Sequence, residues 1–225
     1  MSGARLFWGQ VTAIVWKDLR SELRTRQTWT SMGLFALLVL VVFNFAFDLR
    51  VENVAAVAPG VLWIAFVFAS TLGLGRTIAA EQDQGAMDRL LLCPVDRKAV
   101  YIAKLVGNLV FIGAVEIVAV PIFAAIYNVP ILGGSLIAIV ALGTLGVATI
   151  GTLFAALAAS TRAREVLLPV LIFPLLLPVV IGAVRATSAL IVPLPGDKPW
   201  LGLIAAFDVI FLSISAIAFE YVVED

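Results

Sequence analysis

Six long stretches of this chain pass almost without a charged residue, and nothing else limits the fold as strongly. They run from Thr30 to Phe47, Ala58 to Ala80, Leu105 to Tyr127, Ile131 to Ala159, Val166 to Val184 and Trp200 to Phe219. A helix needs roughly 20 apolar residues to cross a bilayer. Inside hydrocarbon, only a structure that satisfies its own backbone hydrogen bonds can span, which for runs of this length means helices. Composition agrees: 62% of the residues are hydrophobic and 13% charged, against about half and a quarter in soluble domains. The expectation is an all-α polytopic membrane protein with six transmembrane helices. A polar and amphipathic segment precedes the first run and no small-residue cleavage site follows it, so that run reads as a retained span.

Composition also excludes chemistry. There is no histidine, the commonest ligand for zinc and haem and the commonest general base. One cysteine rules out an internal disulfide framework, and a net charge of zero gives no sign of a nucleic-acid partner. The fifth run carries Pro169, Pro174 and Pro178 and is expected to be kinked or broken. The fourth is longer than a bilayer requires, so tilt or a first turn outside the membrane is expected.

Lysine and arginine set the orientation. Twelve of the fifteen precede the first run, fall in the connections after the second and fourth, or, in the case of Arg76, lie near the end of the second; only Arg50, Arg185 and Lys198 lie on the other side. Both termini are therefore expected in the cytoplasm. The external connections are short, and "RATSALIVPLPGDKP" is the longest.

Two cytoplasmic features stand out. Before the first span, Phe7, Trp8, Val11, Ile14, Val15, Leu19 and Leu23 share a broad helical face, with Lys17, Arg20 and Arg24 opposite. With Trp16 beside them, this reads as an amphipathic helix in the plane of the membrane surface over residues 1–29. Asp18 and Glu22 fall inside the apolar arc, and Glu22 is placed to reach Arg26 at i+4. A plain lipid anchor and a docking element for a partner are both open readings. The second feature is "EQDQGAMDRLLLCPVDRKAVYIAK", residues 81–104, which holds eight charged residues. Gly85 breaks the preceding helix, Cys93-Pro94 stops a short one, and Asp96 is the expected N-cap of the next. That gives a short transverse helix pinned between two long ones. Cys93-Pro94 also matches a Cys-Pro haem-regulatory signal, although proline already has a structural task there.

The pattern E-x-x-x-G-x-x-x-x-L-L-x-x-P-V-x-R from Glu81 to Arg97 resembles the segment between spans two and three of ABC-2-type permeases. With "APGVLWIAFVFASTLGLGR" in span two, "WKDLRSELRTR", the proline-rich fifth span and the ending "FEYVVED", the whole chain is similar to the CcmB family, the haem exporter B permease of cytochrome c maturation. The resemblance implies one permease domain over residues 1–225 in a bacterial inner membrane. Spans one and two would occupy residues 30–80, the coupling segment 81–104, and spans three to six 105–225. It implies that Glu81, Gly85, Leu90, Leu91, Pro94 and Arg97 make or shape the contact with a separate CcmA-like ATPase, near an N-terminal helix bearing Trp16, Lys17, Asp18, Arg20 and Glu22. CcmC-like and CcmD-like membrane proteins and a CcmE-like haem chaperone complete the implied complex, and a homodimer is expected within it. No cofactor would bind the chain directly: ATP would act through the partner, and haem would be handled by the complex. The chain has no G-x-x-x-x-G-K-[ST] phosphate loop, so it is not expected to hydrolyse ATP.

Glu116 and Asp208 lie inside spans three and six, where a charge costs roughly 2.5–3.5 kcal/mol. Each reads either as part of a translocation route or subunit interface, or as a neutral acid bonded to a neighbouring helix. Asn108, Thr149 and Thr152 read as interhelical hydrogen-bonders, and Gly143 and Gly146 as close-packing positions. Rival functions are an ABC-2 exporter of a drug, lipid or glycan, a scaffold, and an intramembrane enzyme. The enzyme would need Glu116 and Asp208 on facing helices, within about 10 Å of one another.

Overall fold

The computed structural model describes residues 3–48, 54–83, 95–129, 133–159, 164–191 and 200–222. Those residues form seven helices: α1 (Gly3–Thr25), α2 (Gln27–Asp48), α3 (Val54–Asp83), α4 (Arg97–Tyr127), α5 (Gly134–Ala159), α6 (Arg164–Ile191) and α7 (Trp200–Val222). There is no strand among them. The six helices α2 to α7 are long and apolar enough to cross a membrane, with mean hydropathy from 1.9 to 2.5.

The bundle is organised around α5. It packs against α3, α4, α6 and α7, and its small residues let them approach. A β-carbon at Gly143 would enter the ring of Trp63 from α3, and one at Gly151 would enter Leu74 of the same helix. At Gly146 it would meet Asp208 Oδ1 of α7 at 2.7 Å and Val179 of α6 at 2.9 Å. Trp63 is fully buried, and its Nε1 donates to Thr187 Oγ1 of α6 at 3.0 Å. One side chain thus joins three helices. On the outer flank of the core, Tyr127 at the end of α4 donates to the Leu40 carbonyl of α2 at 3.0 Å.

Several expected boundaries shift. α6 remains one helix through Pro169, Pro174 and Pro178, so the fifth span is not broken. It also continues to Ile191, and Arg185–Ile191 belong to it rather than to an external loop. The fourth span begins at Gly134, three residues later than expected. α3 and α4 hold 30 and 31 residues, about 45 Å each, against a hydrocarbon core of about 30 Å. Asp96 caps α4 as expected, accepting from the Lys98 N–H at 2.9 Å.

Gly143→Leu is expected to cost about 1–3 kcal/mol by overpacking against Trp63. Gly60→Ala, inside α3 where a β-carbon meets open space, should instead stabilise by up to about 1 kcal/mol. Unfolding midpoints in mixed micelles check both.

Candidate functional site

α1 does not simply float on a lipid surface. Val11 and Ile14 are buried against Ala99, Val100 and Ala103 at the start of α4. The rest of the expected apolar arc divides: Phe7 and Val15 pack at the edge of that cluster, Leu19 is half-buried, and Trp8 and Leu23 are exposed, as is Trp16 beside them.

The two acids inside the arc have specific partners. Asp18 Oδ2 lies 2.9 Å from Lys104 Nζ of α4, with only 12% and 11% of these side chains exposed. Its Oδ1 meets the half-exposed Lys17 at 3.0 Å. Near the other end of α1, the Asp96 N–H donates to Gln10 Oε1 at 3.3 Å. α1 is therefore fastened at two points to the helix that emerges from residues 84–94.

Glu22 does not pair with Arg26 as expected. Its carboxylate accepts from the Thr28 N–H at 2.7 Å, the Thr28 hydroxyl at 2.9 Å and the Trp29 N–H at 3.4 Å. The two N–H groups are free donors of the first turn of α2, which a helix start must satisfy. Arg26 is the joint itself, with φ of 54° and an N–H bonded to the Glu22 carbonyl at 2.6 Å. Glu22 thus closes the α1–α2 corner and aims the first span. Arg20 is exposed on the polar side.

Of the expected ATPase-facing residues, Gly85, Leu90, Leu91 and Pro94, with Cys93, lie outside the described residues. Glu81 is on the last turn of α3 and Arg97 on the first turn of α4. α3 and α4 pack against one another, so the segment between them is held at both ends by long helices.

Deeper in the bundle, Glu116 is 5% exposed, and its Oε1 accepts from Thr144 Oγ1 of α5 at 2.6 Å. Asp208 is 2% exposed, and neither carboxyl oxygen has a hydrogen-bond partner among the described residues. The two acids do not form a pair. Glu116 approaches α5 at Thr144 and Asp208 at Gly146, two positions that point about 200° apart on a helix. The two acids thus meet α5 on different sides. Asn108 bonds Thr152 at 2.8 Å as expected, whereas the Thr149 hydroxyl has no partner among the described residues. No group of three His, Cys, Asp or Glu among the described residues is placed to hold a metal ion.

Six apolar spans, with a seventh helix fastened along one of them, define a multi-pass membrane protein. The model of the family described as "CcmB protein" matches residues 9–224, and the chain belongs to that family. It is 28% identical over 210 residues to "Heme exporter protein B" of Bradyrhizobium diazoefficiens, covering 92% of this chain and 94% of that one. It is 31% identical over 175 residues to the protein of the same name from Rhodobacter capsulatus, covering 75% and 78%. The Pseudomonas aeruginosa counterpart is 28% identical over 179 residues, covering 76% and 78%.

Two outcomes are expected here. Asp18→Lys and Lys104→Asp should each loosen α1 by about 2–4 kcal/mol, because each leaves a nearly buried charge opposed. The double exchange should recover most of that. Tryptic cleavage rates at Arg20 and Arg24 read the change, and a double variant no better than the singles would show that the pair does not hold α1. Asp208→Leu puts an apolar side chain of nearly the same shape in place of a carboxyl without partners among the described residues and should stabilise the fold by about 1 kcal/mol or more, read as a higher unfolding midpoint. A lowered midpoint would show that the carboxyl is held by a group it needs.

Proposed function

We propose that the chain is the membrane permease subunit of an ABC-type haem-export complex, carrying the effect of ATP hydrolysis from a separate ATPase into the bilayer. The observation that carries this reading is the family match over residues 9–224, together with relatives named heme exporter protein B along most of their length.

The architecture supports a transmitting role. α3 continues to Asp83, beyond the apolar span that ends at Thr77. α4 begins at Arg97, seven residues before the Lys104–Asp18 pair. A push on residues 84–94 would pass into two helices that reach through the membrane, and into α1 through Asp18 and Gln10. Rigid levers of this kind convert a local contact into a helix movement. In this reading Glu81, Gly85, Leu90, Leu91, Pro94 and Arg97 form or shape the ATPase contact. The chain is a non-catalytic subunit, with ATP hydrolysed by a CcmA-like partner. CcmC-like and CcmD-like proteins and a CcmE-like chaperone handle haem, which is cargo of the complex rather than a resident cofactor of this chain. The membrane is the bacterial inner membrane, with both termini in the cytoplasm and two copies in the working unit.

The test is co-purification from detergent with the CcmA-like ATPase of the same organism. Wild type should retain the ATPase, and a Leu90→Asp/Leu91→Asp variant that inserts normally should lose it by about tenfold or more, as expected when charges replace an apolar contact centre. Equal retention would move the contact elsewhere, α1 being the next place to look. No retention by either would defeat the permease reading.

A further inference from the structure

Between α4 and α5 runs a groove of about 500 Å³, lined by Leu109, Ile117, Val140 and Leu145 among others, with Glu116 and Thr144 as its polar residues. It follows α4 from Leu109 to Val120, about 16 Å or half a bilayer. Gly113 and Ala141 give it depth, and its rim residues Ile117 and Ile137 are 76% and 70% exposed on the flank of the bundle. The opening therefore faces sideways, along the apolar stretch of both helices.

At this depth a carboxylate is neutralised by a proton or by a cation. Glu116 has one oxygen fixed by the Thr144 hydroxyl at 2.6 Å. Its other oxygen has no hydrogen-bond partner among the described residues, and no lysine or arginine among them forms an ion pair with it. The groove thus offers one acid, held in a fixed orientation, whose proton an entering cation can replace, in an otherwise apolar trough. Its volume lies within the roughly 300–1,000 Å³ of small-molecule sites, which typically combine apolar walls with a few placed polar groups.

We propose that this groove is a binding site for an amphiphilic cation, an apolar molecule with a single positive charge that enters from the bilayer. A hydrated inorganic ion would have to shed its water to reach Glu116, whereas a cation inside an apolar shell brings its own solubility. An anion of the same shape would meet the carboxylate with no compensating charge. The proposal does not rest on the haem-export reading, because it concerns a groove whose only ionisable group favours positive charge.

The experiment measures binding of radiolabelled tetraphenylphosphonium to the protein in phosphatidylcholine nanodiscs, with empty nanodiscs as the partition control. Tetraphenylborate, of nearly the same shape and opposite charge, is the second probe. Saturable binding of the cation alone is expected. Glu116→Gln, which can still accept from Thr144, should weaken it by at least about tenfold. Ile117→Trp, at the exposed rim, should block it while leaving Glu116 in place, and remains informative if Glu116→Gln does not fold. Absence of saturable binding above empty nanodiscs would overturn the proposal, leaving the groove to lipid. Equal binding of tetraphenylborate, or unchanged affinity in Glu116→Gln, would do the same. So would disulfide cross-linking between Ile117→Cys chains in a Cys93→Ser background, which would assign the groove to a second copy of the chain.

Discussion

The contact of Trp63 with Gly143 shows how this bundle is held together. In a bilayer, helices gain little from burying apolar surface, since lipid is as apolar as leucine; close packing and interhelical hydrogen bonds take over. Trp63 supplies both. Its ring rests where only a glycine leaves room, and its N–H reaches Thr187 at 3.0 Å. The hydroxyl of Thr187 in turn donates to the Ala183 carbonyl at 2.8 Å, so the indole acquires a partner without exposing any group. Gly146 and Gly151 repeat the close approach along α5. A helix with larger residues at these positions would hold α3, α6 and α7 apart and open the core.

A second constraint acts at the surface end of the bundle. α1 lies against α4 through Val11 and Ile14, and its acids are used for attachment rather than for solubility. Asp18 holds Lys104, and Glu22 closes the first turn of α2. Membrane lipid alone would not reward either acid in an apolar arc. Both make sense once α1 is part of the protein's own architecture, with exposed Trp8 and Trp16 left to face the interface, where such rings are favoured. This helix is therefore more than a lipid anchor, since it is built into the chain's own packing. One side of it holds α4, and the other is free for lipid.

The spans were legible in the sequence because backbone chemistry leaves no alternative: a long apolar run in hydrocarbon must be helical. Their ends were less so. Arg185 looked like the start of an external loop, yet α6 continues to Ile191, because a long cationic side chain can leave its backbone in the helix and carry its charge outward. The three prolines of α6 suggested a break that neighbouring helices prevent. At the candidate site, Asp18 and Glu22 were visible as anomalies in a helical wheel, but their partners were not. Lys104 lies 86 positions away, and Thr28 stands beyond a joint at Arg26 whose left-handed backbone no local pattern announces. Local periodicity shows which residue is out of place, and only tertiary contact shows what it is for.

The two intramembrane acids make the same point in opposite ways. Sequence position alone renders Glu116 and Asp208 equivalent, one carboxyl in the middle of one span each. The structure separates them by what α5 offers. Facing Thr144, Glu116 finds a donor and keeps one oxygen toward a groove at the lipid boundary. Beside Gly146, where Val179 also packs, Asp208 is buried with no hydrogen-bond partner among the described residues. A carboxyl that is oriented and reachable can recognise something, whereas one that is enclosed and unpartnered mainly costs stability.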